Sequence, residues 1–196
     1  MFAAKRINAA GTRGFTLIEL LVVLSIIALV LSAGLPSFRQ YLQAQQVITS
    51  ADQFMYALKL ARSEAMQRGS RVDLAPLDGT HWERGWHVFV KQPGDSSLQY
   101  AAGDQVLHSH TPGLPALRIV TRLSDRSAAY IAYNGNGRAR SNASALSRQW
   151  GSWQFSVADQ VRLIRITLAG RVRLCNPDND NSCHFSGGDS DMESAP

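Results

Sequence analysis

The chain has 196 residues, with 20 Lys and Arg against 15 Asp and Glu, a net charge of +5, and two cysteines. Once a leader and a membrane segment are set aside, that length leaves one globular domain of ordinary size and gives no reason to invoke a second. The net charge conceals an asymmetry: residues 15–175 carry 17 Lys and Arg against 10 Asp and Glu, whereas residues 176–196 carry five acids and no base. The sequence therefore describes a basic body with an acidic end.

At the N-terminus, residues 1–14 hold Lys5, Arg6 and Arg13 and no acid; removing them takes the net charge from +5 to +2. The run 15–35 that follows is apolar except for Glu19, and at ~1.5 Å per helical residue it reaches roughly 31 Å, the thickness of a bilayer core. The basic leader places the N-terminus in the cytoplasm by the positive-inside bias, so the body lies on the far side of the membrane. A removable secretory signal would need a small-residue cleavage site after the apolar core, and Ala33-Gly34-Leu35-Pro36 is a poor one. Glu19 adds a second requirement, because a carboxylate inside a membrane helix costs about 2.5–3.5 kcal/mol on insertion scales and calls for a partner.

Gly14, Phe15, Glu19 five positions into the apolar run and Pro36 at its twenty-second position resemble the processing signal of type IV pilins and type II secretion pseudopilins. The resemblance implies that a prepilin peptidase cuts between Gly14 and Phe15 and that the new amine of Phe15 is methylated. It further implies that Glu19 neutralises the amine of a neighbouring subunit during assembly, which would supply the partner its burial demands. Pro36, lacking an N–H and clashing with the preceding turn, is expected to kink or locally melt the helix.

Beyond Pro36 a helical stripe resumes through Phe38, Tyr41, Leu42, Ile48, Ala51, Met55, Leu58, Ala61 and Ala65, with Gly69 as its stop. Polar residues, among them Arg62 and Glu64, fall off that stripe and read as a solvated face. Seven strands are expected next, at 71–75, 85–91, 105–111, 116–122, 129–134, 151–157 and 162–175, the last containing a turn near Ala169-Gly170. The fold class is thus α+β, a long N-terminal helix on antiparallel sheets. The expected organisation is a leader (1–14), a transmembrane helix (15–35), a helix running on into the body (36–69), an antiparallel domain (70–185) and a flexible acidic tail (186–196). Trp82, Trp86, Trp150 and Trp153 read as packing residues.

Cys175 and Cys183 lie in the compartment where disulfides persist, flank a loop rich in turn formers, and have no second ligand pair nearby, so they are expected to be bonded to each other. Catalytic patterns are scarce: there is no Gly-x-Ser-x-Gly and no phosphate loop, His108 and His110 would share a strand face without a third ligand, and Asp178 and Asp180 lack the glycine a calcium loop needs. No enzyme, metal or cofactor is expected.

The order of blocks Ala61-Arg62-Ser63-Glu64-Ala65, Arg68-Gly69-Ser70-Arg71-Val72, Gly85-Trp86-His87-Val88-Phe89-Val90, Tyr133-Asn134-Gly135-Asn136-Gly137 and Gly170-Arg171-Val172-Arg173 resembles the FimT- and GspH-type minor pilins. The resemblance implies a pilin-like fold and a subunit of the bacterial inner membrane, single-pass, with a periplasmic domain, that joins a pilus with other pilins or pseudopilins. It implies too that the Gly-Arg-x-Arg motif holds double-stranded DNA during natural transformation. Arg171 and Arg173 alternate on one face of an extended segment, about 7 Å apart, and can meet successive phosphates; Gly137-Arg138-Ala139-Arg140 is a second match in a turn-rich loop. Against this stands the plainer role of arginines on an edge hairpin, guarding against strand-to-strand association or pairing with acids. The alternative whole-chain function is a minor pseudopilin of a type II secretion system.

Overall fold

The structure is a computed structural model that describes residues 14–92, 100–125, 129–141 and 148–185. Apart from Gly14, the expected leader lies outside the described residues, as does the acidic tail. Two compact units are present, residues 1–40 and 41–196. Helix α1, Leu17–Arg68, furnishes the helical part of the first and opens the second.

In the first unit the helix starts with its donors provided for. Thr16 accepts the Glu19 backbone N–H on Oγ1 at 3.3 Å, the usual service of an N-cap hydroxyl. The Ser25 and Ser32 hydroxyls donate back to the Leu21 and Leu29 carbonyls at 2.8 Å, so these two polar side chains find acceptors within their own helix. All side chains from 17 to 32 are exposed, and helix α1 is long enough, with a sufficiently apolar portion, to cross a membrane. The helical run includes Pro36, where a kink or a local melting was expected, so the helix is not melted there.

In the second unit α1 buries Val47, Ser50, Ala51, Phe54, Ala57, Leu58, Ala61 and Ala65, a 3.6-residue repeat. The buried face is centred on Val47 and Phe54 rather than on Ile48 and Met55, which are only half-buried, and Phe38, Tyr41 and Leu42 are exposed. One position along a helix turns the face by about 100°, and several apolar residues flanking the stripe hid its true centre. The helix ends at Gly69 (φ 61°), with the Ser70 N–H reaching the Ala65 carbonyl at 3.2 Å in a Schellman closure.

Nine strands follow among the described residues: β1 Val72–Pro76, β2 Trp86–Val90, β3 Gln105–His110, β4 Arg118–Leu123, β5 Ile131–Tyr133, β6 Ala139–Arg140, β7 Gly151–Val157, β8 Gln160–Ile166 and β9 Val172–Cys175. They form two antiparallel sheets, one of five strands in the order β3-β2-β1-β5-β6 and one of four in the order β4-β7-β8-β9. Every expected strand is present, and the run 162–175 resolves into β8 and β9 around the expected turn. Strand β6 is the correction: it occupies the segment read as a turn-rich loop, because the turn at Asn134–Gly137 folds the chain straight back onto β5.

Phe54 ties the helix to both sheets. Its ring lies 5.2 Å from Trp82, in a 3-10 turn (Trp82–Arg84), 5.0 Å from Trp86 of β2, 5.2 Å from Trp153 and 5.4 Å from Phe155, both of β7. The far face of the five-stranded sheet is buried as well, around a small apolar cluster of Ala75, Phe89, Tyr130 and Ala132 that is flanked by charged pairs. Asp73 on β1, with a fully buried side chain, accepts two bonds from Arg71, at 2.6 and 2.9 Å, while that guanidinium sits 5.7 Å above the Tyr130 ring. Lys91 and Asp104 pair at 3.0 Å with side chains 8% and 1% exposed. Burial pushes the Asp73 carboxyl above its ordinary range and Arg71 draws it back.

Two predictions follow from this packing. Phe54→Ala is expected to cost about 3–5 kcal/mol, the toll of emptying a large aromatic site, read by urea unfolding of the full-length chain in detergent with tryptophan fluorescence. Arg71→Met is expected to destabilise by about 3 kcal/mol at pH 7, since it strands a buried carboxylate. Because Asp73 then titrates even higher in the folded state, stability present at low pH is lost as pH rises, so the deficit relative to wild type should shrink at pH 5. A deficit equal at both values would refute the buried charge as its cause; His87, whose pKa burial lowers in both forms, cancels in the difference.

Candidate functional site

Two hairpins share one geometry. In the β5–β6 turn the Gly137 N–H reaches the Asn134 carbonyl at 2.8 Å, and the Asn134 N–H then takes the Arg138 carbonyl at 3.1 Å. In the β8–β9 turn the Gly170 N–H reaches the Thr167 carbonyl at 2.8 Å, and the Thr167 N–H takes the Arg171 carbonyl at 3.0 Å. Both are turns closed by a left-handed residue, φ 68° at Gly137 and 75° at Gly170, a conformation that glycine enters without strain. The Gly-Arg of each motif is thus the closing step of a hairpin, and the arginine is the residue just before the returning strand.

The two tips touch. A Cβ on Gly170 would lie 2.3 Å from the Gly137 carbonyl oxygen, and a Cβ on Gly137 would lie 2.7 Å from the Met66 Sδ and 3.1 Å from the Arg62 Nε. Glycine is needed for φ at both places, and at Gly170 also for room, since the clash there is with backbone. This contact brings the backbone next to Arg138 close to the backbone next to Arg171, each arginine following one of the touching glycines and each exposed. Beneath them Arg62 is half-buried, with one Nη donating to the Ala169 carbonyl at 3.4 Å, so it braces the β8–β9 turn instead of lying on a solvated helix face. The Tyr133 hydroxyl is buried close by, and burial raises its pKa.

The remaining predicted residues divide. Arg173, exposed on β9, pairs with Asp180 and also donates to the Ser182 hydroxyl at 3.1 Å. The acid-pairing role weighed for these arginines is therefore present at Arg173. Arg140, paired with Ala132, is half-buried on the far side of the five-stranded sheet, and Arg148 bridges to it. Arg162 stands opposite Phe155, on the other face of its sheet from Arg165. Cys175 and Cys183 are bonded, with Cα atoms 5.9 Å apart. Asp180 is occupied by the Ser182 hydroxyl and N–H and by Arg173, contacts that hold its carboxyl below the usual range. His108 stacks on Tyr56 and His110 on Trp86.

At the other end of the chain Gly14 precedes α1, Phe15 is 81% exposed, and Glu19 sits in the helix's first turn. Chemically, the touching tips offer two exposed arginines, each following a glycine that closes its turn, groups suited to phosphate or carboxylate oxygens. Sequence alone placed Arg138 in a loop apart from Arg171; their meeting depends on hairpin geometry, signalled only by Gly-Arg occurring twice after a turn-forming run.

Residues 50–184 match the family described as "Type II transport protein GspH", and residues 10–35 match the "Prokaryotic N-terminal methylation motif". A search of curated proteins gave no match. Two crystal structures of the type IV minor pilin FimU of Pseudomonas aeruginosa (strain PAO1) share the fold. The crystal in space group P65 superposes with a TM-score of 0.50 at 18% identity, covering 66% of this chain and 93% of that one. The crystal in P21 gives 0.52 at 19% identity, covering 72% and 94%. With a family match across most of its length, a methylation motif at its start and a long helix leading into antiparallel sheets, the chain belongs to the GspH family, in the class of type IV pilins and pseudopilins.

Proposed function

We propose that this chain is a minor type IV pilin that assembles into or primes a pilus and, through its paired hairpin tips, holds double-stranded DNA during natural transformation. The observation that carries the DNA part is the contact of Gly137 with Gly170, which brings together the backbones next to the exposed Arg138 and Arg171. Arg173 extends the cationic surface along β9, whereas Arg140 lies half-buried on the far side of the five-stranded sheet. Guanidiniums on backbone phosphates position a duplex without reading its bases, so binding should be indifferent to sequence and steeply weakened by salt.

The assembly part follows from the N-terminal motif. Prepilin peptidase cuts between Gly14 and Phe15, the Phe15 amine is methylated, and Glu19 meets the amine of a neighbouring pilin or pseudopilin. Until then the subunit stands in the inner membrane as a single pass through residues 15–35, its N-terminus cytoplasmic and its residues 36–185 periplasmic, followed by the tail. FimU, which shares the fold, is a type IV minor pilin, and this favours the pilus. The name of the matched family favours the other setting, a minor pseudopilin of a type II secretion system bound to other pseudopilins.

The full-length chain in neutral detergent is expected to shift a duplex of arbitrary sequence at low salt, and Arg138→Glu with Arg171→Glu and Arg173→Glu should abolish the shift. Binding that survives the triple reversal would refute this surface. In cells that carry a prepilin peptidase, mass spectrometry should find a mature N-terminus at a methylated Phe15. Gly14→Val should leave the leader attached, and Glu19→Ala should still be cleaved but fail to enter pili. A leader retained in wild type, or Glu19→Ala entering pili normally, would overturn the assembly scheme.

A further inference from the structure

The register of the four-stranded sheet aligns three arginines that are distant in sequence. Arg122 on β4 faces Ser152 on β7, Ser152 faces Arg165 on β8, and Arg165 faces Arg173 on β9. Their neighbours in sequence, Leu123, Ile164 and Ile166, belong to the main core, so the three arginines share the opposite, outer face. With strands ~4.8 Å apart, the row spans about 14 Å. A duplex carries a phosphate every ~3.4 Å of its axis on each strand, so such a row can follow several in succession.

That row already holds a ligand, supplied by the chain itself. Arg173 takes the Asp180 carboxylate and the Ser182 hydroxyl, Arg165 donates to the Ser182 carbonyl at 2.9 Å, and Arg122 donates to the Phe185 carbonyl at 3.2 Å while lying 4.5 Å over the Phe185 ring. The groups gathered on the arginines are a carboxylate, a hydroxyl and two carbonyls, all oxygen acceptors. The segment is also held by the Cys175–Cys183 bond and a small apolar cluster of Leu163 and both cysteines, against which Phe185 packs while Arg122 covers its ring. The Asp180–Arg173 pair is solvent-exposed, with side chains 29% and 56% accessible, so exchanging its acceptor costs little.

We propose that the Arg122–Arg165–Arg173 row is a second part of the phosphate-binding surface, continuous at β9 with the hairpin tips, and that the disulfide-closed loop is its built-in competitor, with Asp180 standing where a backbone phosphate binds. This rests on DNA being the ligand of the tips. The apolar anchor and the disulfide keep the loop seated while its polar contacts pass to the incoming phosphates, so the protein keeps its arginines ordered when DNA is absent. Asp180 sets the threshold that a polyanion must exceed.

The test uses the full-length chain in neutral detergent, a fixed 30-base-pair duplex and a salt series. Asp180→Asn keeps the loop's shape and removes its charge; binding should tighten roughly fivefold at low salt, and the slope of log affinity against log salt should steepen by about 0.9, one additional phosphate. Arg122→Gln should flatten that slope by about the same amount. Thiol titration and melting curves check that the disulfide and the fold persist in both. If wild type shifts the duplex and either variant leaves the slope unchanged, the row is not part of the surface and this proposal alone falls. If wild type and Asp180→Asn both fail to shift it, the DNA reading of the tips falls and takes the row with it. A melting shift without a slope change would assign Asp180 a structural role only.

Discussion

A single phenylalanine on the helix organises the 41–196 unit. Phe54 lies within 5.0–5.4 Å of four aromatic rings, two associated with the five-stranded sheet and two with the four-stranded sheet. Edge and tilted ring contacts are directional, so they fix where each sheet sits on the helix as well as how firmly. Once both sheets are registered on one helix face, hairpins from different sheets can meet at the helix's C-terminal end. The contact between Gly137 and Gly170 depends on that registration.

The polar groups follow two regimes. On the far face of the five-stranded sheet, Asp73 and Asp104 are buried carboxylates held by the partly exposed Arg71 and the buried Lys91, and losing the cation leaves a carboxylate with little solvent to receive its charge. On the outer face of the four-stranded sheet, Arg122, Arg165 and Arg173 meet a chain segment near water, where contacts are weak one by one and can be exchanged. The first arrangement specifies a fold; the second suits a surface that must release one acceptor and take another. Asp180 is held ionised by Ser182 and Arg173, so its competition is present at every physiological pH.

Much of the fold was legible because it rests on local rules. Alternation and turn residues located the strands, Gly69 marked the helix stop, and two cysteines eight residues apart paired as expected. Legibility ended where the answer depended on a residue's angular place or on a distant partner. Met55 looked as central as Phe54, since both are apolar and adjacent; only the aromatic rings waiting on the sheets separate them. Arg62 looked solvated for want of any local cue that the β8–β9 turn would lie against it.

The sequence by itself determined the family motif and the kinds of element: a basic N-terminal segment, an apolar helix with one acid near its start, a methylation motif, and strands where alternation and turn residues mark them. These are properties of spacing, and spacing survives without a third dimension. Tertiary structure alone decided which arginines are neighbours. Arg138 and Arg171 are 33 positions apart and their backbones come close because two glycines allow the hairpin tips to touch, while Arg122 reaches the row of Arg165 and Arg173 through sheet register. A cationic surface is a sum over distance, and distance between residues remote in sequence is fixed only when the core has closed.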